Sequence, residues 1–433
     1  MARSRARTDV AATRRRPSLP AGLSLAGAAI TFTSLYLAAG ALMPLLVLYR
    51  EQWDFPAALL TLAFAVFAIG FLAAVLTFGP LSDHVGRRPV LIAALIIQLA
   101  SNVMFLVAPD IGWVIAGRVV QGFASGAATT AFTAALVEFA PSNRKRLGAV
   151  LGSVGLTGGL AIGSLLAGLA IQFSSAANEI VFMTLTIITV LGIVVIALSP
   201  ETVPRVPGAL RAMVPRVAIP LATRKEFAAA VPVIVAIWML SGLSGGIVPS
   251  LVRSVFHLNS GLLNGLSGFI APAVSAIFGL VFARLDPRLA MTIGIYGSVA
   301  GAVGIIGGVV AGSLTLMIVG QAVAGAGFGA SFTATLRLIM PLAAVHERAA
   351  VVAGIYLVSY TAFGVPVVVA GQLIDVVGSV ATVSWYSAVT GLFALISLSA
   401  QARLVRNARA VDGTAPAPRR TAETPCCASA NPQ

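Results

Sequence analysis

The chain has few charged residues, few cysteines and no grouped histidines. Only 10% of its 433 residues are charged, whereas 58% are hydrophobic and the mean hydropathy is +0.98. A soluble globule of this length would need more polar side chains to cover its surface, so the composition indicates a polytopic membrane protein. Cys426 and Cys427 lie in a polar C-terminal tail, and His84, His257 and His346 lack the spacing of metal ligands. No disulfide framework, metal site or cofactor is therefore expected.

Further absences exclude whole classes of function. The sequence has no phosphate-binding Gly-Lys-Ser/Thr loop and no room between its spans for a nucleotide-hydrolysing domain, which excludes an ATP-driven pump. No nucleophile or acid–base pair of an enzyme is visible, and no filter loop or charged pore ring of a channel. The net charge of +14 is scattered over short loops, so no nucleic-acid-binding role is expected.

Long stretches without Asp, Glu, Lys or Arg count the membrane spans, because about 20 apolar residues cross the hydrocarbon core of a bilayer. The sequence has eleven of them: 17–49, 55–82, 89–109, 119–137, 147–178, 180–200, 227–252, 254–283, 289–336, 349–374 and 376–402. The stretch 289–336 has 48 residues and a break near Gly312 and Ser313, so it must contain two crossings. The sequence thus predicts an all-α membrane protein with twelve transmembrane helices.

The positions of the basic residues predict the orientation. With the N-terminus inside, 24 of the 28 Lys and Arg residues fall on inside segments, Arg50 and Arg253 on outside loops, and Arg118 and Arg337 within spans. Cytoplasmic loops carry such an excess of Lys and Arg, so we expect a multi-pass protein with both termini in the cytoplasm. Arginine far outnumbers lysine and alanine is abundant, which favours a GC-rich bacterial source and its inner membrane.

A polar segment at 200–226 divides the chain into two halves. At an offset of 203 residues, small residues recur in matching positions: Gly117, Gly122, Gly126, Ala127, Thr130 and Ala131 as Gly320, Gly325, Gly329, Ala330, Thr333 and Ala334. The repeat favours two duplicated six-helix bundles. We predict a cytoplasmic N-terminal tail at 1–20, an N-terminal bundle at 21–199, a central cytoplasmic loop at 200–226, a C-terminal bundle at 227–404 and a disordered tail at 405–433.

A polar loop lies between the second and third spans. Its residues Gly79, Asp83, Gly86, Arg87 and Arg88 have the spacing of a signature of the major facilitator superfamily, and the chain resembles that family. The family usually has a basic residue directly after the Asp, where this chain has His84, so one element of the loop is expected to be weaker or pH-sensitive. A loop that only fixes topology is the alternative.

The resemblance implies a fold and a mechanism. The expected fold is that of the superfamily, with two pseudo-symmetric six-helix bundles that rock about a midplane site in alternating access. The polar loop is then a gate that closes the cytoplasmic side. The expected partners are a small-molecule substrate and a proton or other coupling ion, in a monomer.

The fourth span carries Arg118, Gln121 and Gly122, which are similar to a second signature of the family. These three positions share one helical face, which favours a guanidinium that points into the bundle and takes part in proton or substrate coupling. Arg118 that extends to the membrane interface is the alternative. Glu138, at the inner end of this span, is either a partner of the Asp83 loop or an interfacial acid, and Pro200-Glu201-Thr202 after the sixth span resembles a common superfamily ending.

The fifth span carries Gly155, Gly159 and Gly163, in a stretch that resembles the glycine-rich signature of drug and proton antiporters in this superfamily. Small residues spaced by four allow close helix packing. The family's proline is replaced by Leu160, so the bend that proline introduces is not expected.

The substrate cavity is expected between spans 1, 4, 7 and 10 by the same resemblance, with Tyr36, Arg118, Trp238, Phe328 and Phe332 as candidate contacts. An apolar cavity with one cation suits a hydrophobic or anionic molecule better than a polyol. Efflux of hydrophobic or amphipathic compounds is the leading interpretation, and uptake of a nutrient or organic anion is the alternative. No Asp or Glu lies in the middle of a span, so proton coupling would rest on Asp83, Glu138 or Asp375, or transport is driven otherwise.

Overall fold

The computed structural model describes residues 19–215, 217–344 and 346–413. These residues contain no β-strand and twelve helices of 20 or more residues. They are α1 Ala21–Trp53, α2 Ala57–Phe78, α3 Arg87–Leu106, α4 Ile111–Phe139, α5 Lys145–Phe173, α6 Ala177–Leu198, α7 Leu221–Gly246, α8 Gly261–Phe282, α9 Pro287–Val310, α10 Leu314–Ile339, α11 Arg348–Val377 and α12 Ser379–Gly413.

Eleven of these helices are long and apolar enough to cross a membrane by length and composition. α4 is the exception, because Arg118, Gln121 and many small and hydroxyl-bearing residues lower its hydropathy. It nevertheless has 29 residues and packs centrally in its bundle. The long uncharged stretch at 289–336 does hold two helices, α9 and α10, which are separated by a turn where Gly312 has a φ of +65°.

The helices form two bundles of six. In the first, α1 packs on α5 and α2 packs on α4, and in the second, α8 and α9 both pack on α10. The repeated glycines explain the matching contacts. A Cβ at Gly122 would meet the Phe67 backbone of α2, and one at Gly325 would meet the Ala271 backbone of α8. Both glycines therefore let the fourth helix of a bundle touch the second, as small residues do in membrane helices.

The loops fall on two sides of the molecule. On the arginine-rich side lie the start of α1, the end of α12 and the connections 79–86, 140–144, 199–220, 283–286 and 340–347. The opposite side has the other connections, and its described basic residues are Arg50 and Arg253. Arg337, which the sequence places within a span, lies in the last turn of α10 on the arginine-rich side and donates to the Leu285 carbonyl at 2.8 Å.

Two helices are longer than the predicted bundle limits. α7 begins at Leu221 and contains Arg224, Lys225 and Glu226 in its first turns, because long charged side chains at a helix end can extend away from an apolar layer. α12 continues to Gly413, nine residues past the predicted bundle end at 404. The predicted N-terminal tail up to residue 18, and the C-terminal tail from 414 with Cys426 and Cys427, lie outside the described residues.

Candidate functional site

The polar loop at 79–88 forms a network with the end of α4. Asp83 and Arg87 form an ion pair one helical turn apart. Arg87 also reaches Glu138, with its Nε and Nη2 atoms 3.3 and 3.2 Å from Oε1, and its Nη1 donates to the Ser82 hydroxyl at 2.6 Å. The second oxygen of Glu138 accepts from the Thr202 hydroxyl. Of the predicted gating residues, Asp83 and Arg87 thus meet Glu138 in one cluster, and Thr202 of the linker after α6 joins them.

Glu201 is the central acceptor that the sequence interpretation did not assign. Its two carboxylate oxygens accept from the backbone N–H groups of Arg87 and Arg88 at 2.8 and 3.0 Å, so it caps the N-terminus of α3. Gly86 precedes that helix with a φ of +106°, and a Cβ there would lie 2.6 Å from the Glu201 carboxylate. Glycine is required at this position both for its backbone conformation and for the approach of Glu201.

Gly79 has a different environment from Gly86. Its backbone is helical, and a Cβ there would be in ordinary contact with Thr130 at 3.7 Å. Gly79 contributes its carbonyl, which accepts from the Thr130 hydroxyl at 3.3 Å. No close helix approach therefore requires glycine at position 79 in this conformation. His84 is tied to the loop by its ring Nδ1, 3.2 Å from the Pro80 carbonyl.

A cavity of about 570 Å³ opens on the arginine-rich side, beside this network. Its walls come from α2, α11, Thr130 of α4 and the linker segment 208–214. Asp83 and Arg211 supply its charged groups, and His84, His346 and Tyr356 are its other titratable residues. Among the described residues, no hydrogen bond or ion pair joins the two helix bundles on this side, so the polar network connects the first bundle to the linker and not to the second bundle.

The two bundles are joined on the opposite side. Asp375 at the end of α11 accepts from the backbone N–H groups of Ala57 and Ala58, at 3.3 and 3.2 Å, in the first turn of α2. Glu51 of α1 forms an ion pair with Arg253. These contacts, together with the glycine packing below, close the seam between the bundles on this side.

The α5–α8 seam has no room for side chains. A Cβ at Gly168 would lie 2.6 Å from the Cα of Gly265, and the Ser164 hydroxyl donates to the Gly265 carbonyl at 3.0 Å. Gln172 continues the seam, because its side-chain oxygen accepts from the Ser260 hydroxyl at 3.0 Å. The protein is therefore closed on the opposite side and open on the arginine-rich side.

Arg118 is buried in the first bundle, with 2% of its surface exposed. Its Nε and Nη2 atoms donate to the Ala63 and Phe64 carbonyls of α2, each at 3.1 Å, and its Nη1 donates to the Gln121 side-chain oxygen at 2.6 Å. The guanidinium also lies 4.7 Å from the centre of the Phe67 ring, within cation–π range. The side chain thus points into the bundle and not to the membrane interface. Inside the bundle it joins α4 to α2.

An aromatic cluster lies between the bundles, and Trp238 of α7 is its centre. The Trp238 ring is 5.4 and 5.9 Å from the rings of Phe328 and Phe332 of α10, and 4.9 Å from the ring of Tyr360 of α11. Tyr360 stacks on Phe71 of α2 at 4.2 Å and so joins the two bundles. The α11 and α2 members were not predicted, because span 11 carries no signature and its tyrosines resemble ordinary membrane aromatics.

Tyr36 occupies a separate position in the first bundle. It is buried, and its hydroxyl lies 2.7 Å from the Thr129 hydroxyl of α4. In this conformation neither Tyr36 nor the Trp238 group lines the open cavity, whose inner end is Tyr356 of α11. Tyr356 lies 6.2 Å from both Phe71 and Tyr360, so the cavity ends at the aromatic cluster.

The glycines of α5 pack on α1. A Cβ at Gly159 would lie 2.9 Å from the Cβ of Tyr36, and one at Gly163 would lie 2.9 Å from the Cα of Leu37. A Cβ at Gly155 would lie 3.0 Å from the Thr33 hydroxyl oxygen and 3.1 Å from the Phe32 ring, both on α1. The stripe therefore sets the distance between α1 and α5, with Leu160 in place of a proline.

Two six-helix bundles that diverge around a cavity on one side and close on the other have the architecture of a membrane transporter of the secondary type. The family model of the Major Facilitator Superfamily matches residues 28–353. The chain belongs to this superfamily, a family of membrane transporters, and its fold is the superfamily fold.

Solved structures of transporters share this fold. A peptide transporter POT in complex with alafosfalin has a TM-score of 0.71 and 14% identity over 89% of this chain and 95% of that chain. A POT family transporter in complex with 5-aminolevulinic acid has a TM-score of 0.71 and 12% identity over 89% and 96%. The human organic anion transporter MFSD10 has a TM-score of 0.63 and 17% identity over 88% and 100%.

One curated relative matches a short part of the sequence. Solute carrier family 22 member 2 of Oryctolagus cuniculus is 32% identical over 102 residues, which are 24% of this chain. The match spans only 18% of that relative's length.

Proposed function

We propose that this protein moves a small molecule across the bacterial cytoplasmic membrane by alternating access, and that it exports hydrophobic or amphipathic compounds. The observation that carries the proposal is the cavity of about 570 Å³, which opens on one side while hydrogen bonds and glycine packing close the other. A carrier must alternate between this arrangement and one that is open on the opposite side, because a path open on both sides at once would be a pore.

The arginine-rich side is the cytoplasmic side in this proposal. Lys and Arg accumulate in cytoplasmic loops, and among the described residues the opposite side has only Arg50 and Arg253. Both termini are then cytoplasmic. The segments 21–199 and 227–404 are the two moving bundles, and 200–226 links them. Each monomer encloses its own cavity between its two bundles, so a monomer is sufficient for transport.

The 79–88 loop is the cytoplasmic gate. Arg87 holds Asp83 to Glu138 within the first bundle, and Gly86 with Glu201 fixes the start of α3, so the loop moves with that bundle as a rigid unit. When the bundles close on this side, Asp83 and Arg88 approach the start of α11. The gate then replaces the contacts that break on the opposite side.

Arg118, Gln121 and Gly122 serve coupling by fixing α2 to α4. α2 carries the Ala57 and Ala58 amides of the opposite-side closure and, further along, the Phe71 ring of the aromatic cluster. A tilt of α4 is therefore transmitted to both places. The energy comes from a proton or other ion gradient, with Asp83, Glu138 or Asp375 as the carboxylates that face water on one side or the other.

The substrate passes the aromatic cluster. Trp238, Phe328 and Phe332 offer apolar faces, and the Trp238 indole N–H is buried without a hydrogen-bond partner among the described residues. Tyr36 joins this group when α1 moves. Such walls suit hydrophobic or amphipathic compounds, because sugars need many fixed polar partners.

Uptake of an organic anion or a nutrient is the second candidate. It is favoured by the cationic Arg211 at the cavity mouth and by the fold shared with an organic anion transporter and peptide transporters. The pathway itself has no direction, since the gradient that drives the cycle sets it.

The decisive experiment compares a gene deletion with the parent strain for drug sensitivity and for solute accumulation. Export predicts that the deletion raises sensitivity and intracellular drug, and that the wild-type gene but not an Arg118→Ala variant restores the parent behaviour. Uptake predicts lower accumulation of a nutrient or anion instead. Saturable counterflow in proteoliposomes is expected in both cases, and unitary conductance without counterflow would overturn the carrier proposal.

A further inference from the structure

The open cavity lies in the gap where α2 and α11 diverge toward the arginine-rich side. We infer that this gap is a binding site for an amphipathic organic anion, with the apolar part between α2 and α11 and the anionic group beside Arg211 and His346. The inference rests on the proposed transport function and names the substrate class and its first position.

Arg211 is the cationic group at the mouth. Asp83 is the acid that lines the cavity, and it forms an ion pair with Arg87, which Arg87 shares with Glu138. Arg211 is exposed, and no carboxylate of the described residues lies within ion-pair distance of it. Arg211 therefore makes this end of the cavity attractive to anions, and the ring N–H groups of His84 and His346 add hydrogen-bond donors there.

The charges next to His346 do not reverse this balance. Glu347 and Arg348 follow it directly and have opposite signs. The Glu347 carboxylate accepts from the Ala344 N–H at 3.3 Å, and the Arg348 Nε donates to the Ala343 carbonyl at 3.4 Å. Both side chains thus bond to the backbone of their own loop.

The inner part of the cavity is apolar. Val75 and Leu76 of α2 face Val352 and Ala353 of α11, and the Tyr356 ring ends the cavity beside the aromatic cluster. A molecule with an anionic group at the mouth therefore extends its apolar part toward Trp238 and its neighbours. The volume of about 570 Å³ lies within the range of pockets for drug-sized ligands.

The linker holds Arg211 over the cavity from both bundles. The Val206 N–H donates to the His84 carbonyl at 2.8 Å, which fixes the linker to the first bundle. On the other side of Arg211, Ile219 packs against Gly354 of α11, where a Cβ would lie 2.8 Å from its Cδ1 atom. The linker is thus anchored to one bundle on each side of Arg211.

The test measures the charge preference of the cavity with a thiol. In a Cys426→Ser, Cys427→Ser background, the Ala353→Cys variant in lipid nanodiscs is reacted with an anionic and a cationic methanethiosulfonate. Each rate is normalised to the rate with free 2-mercaptoethanol. The anionic reagent is expected to be favoured by about tenfold, the lower end of electrostatic focusing in a charged cleft. Arg211→Gln removes most of this preference, whereas Arg205→Gln, on the same linker but not on the cavity wall, leaves it in place.

A protection assay tests the amphipathic part of the inference. Octyl sulfate is expected to slow the reaction of the Ala353→Cys variant, and octyltrimethylammonium and octyl glucoside are expected to slow it much less. Equal normalised rates for the two reagents, an equal effect of Arg211→Gln and Arg205→Gln, or equal protection by all three amphiphiles would overturn the inference. These readouts need no transport, so they remain informative if the counterflow assay fails. Counterflow without a charge preference would refute the anion-site inference and leave the proposed transport function standing.

Discussion

Asp375 provides the most direct test of the closed opposite side. Its carboxylate belongs to α11 and accepts from two backbone N–H groups in the first turn of α2, which have no partner within their own helix. The contact joins the two bundles, so it exists only while this side is closed. An Asp375→Ala variant therefore destabilises the closed arrangement and leaves the arrangement open on the opposite side unaffected.

The size of the effect follows from helix capping. Loss of a side-chain cap costs about 0.5–2 kcal/mol, with about 1 kcal/mol as the typical value. Water replaces part of the interaction, because Asp375 is exposed. A change of about 1 kcal/mol shifts the ratio of the two arrangements about fivefold, and the full range corresponds to about twofold to thirtyfold.

The assay labels a residue that the closed seam covers. Thr61 of α2 is 1% exposed and lies against Gly371 of α11, so a Thr61→Cys variant reacts with a membrane-impermeant thiol reagent only when the opposite side opens. Both native cysteines are replaced by serine. Asp375→Ala is expected to raise the labelling rate about fivefold.

Glu51→Gln is the matched control on the same side. The Glu51–Arg253 pair is partly exposed, and exposed ion pairs contribute only about 0–1 kcal/mol. Its effect on labelling should be smaller than that of Asp375→Ala. The reasoning is refuted if Asp375→Ala leaves the labelling rate unchanged or lowers it, or if Glu51→Gln has the larger effect.

Three further substitutions, two of them with a matched control on the same loop or helix, test the interior packing and the gate. Gly86→Ala places a side chain at positive φ and against a carboxylate, so it should lower thermal stability by about 1–3 kcal/mol, whereas Gly79→Ala should change it by less than about 0.5 kcal/mol in a detergent melting assay. Gly163→Val meets the backbone of α1 and should reduce the folded yield, while Gly158→Val on the same helix has room and should not; equal yields would contradict the packing role. Arg118→Met should abolish counterflow with little loss of thermal stability, because the desolvation cost of the buried guanidinium disappears together with its hydrogen bonds; retained transport would exclude the coupling role.

Membrane location and family were accessible from the sequence because they depend on local patterns. A bilayer requires about 20 apolar residues per crossing, so the uncharged stretches revealed the helices one by one. The spacing of the 79–88 loop indicated the family, and Asp83 and Arg87 of that loop lie together with Glu138 of α4. The inward direction of the Arg118 side chain also followed from local pattern. Arg118 shares one helical face with Gln121, and lipid would penalise a guanidinium that faced outward.

Contacts between distant segments were decided by the tertiary structure. Glu201 caps α3 from the end of α6, and Asp375 caps α2 from the end of α11, across 114 and about 318 residues of chain. No sequence period relates such pairs, because the register of one helix against another is set by side-chain packing. The same holds for Tyr356 and Tyr360, whose place between the bundles depends on how α11 packs on α2.

The sequence alone therefore determined that this protein lies in a membrane, how many helices it has and which family it belongs to, because hydrophobic length and motif spacing are properties of short segments. Which side is open, which residues line the cavity and which contacts close the other side were decided only by the tertiary structure. These features depend on the relative position of two bundles, and the free energy that separates their arrangements comes from a few contacts between residues far apart in the chain.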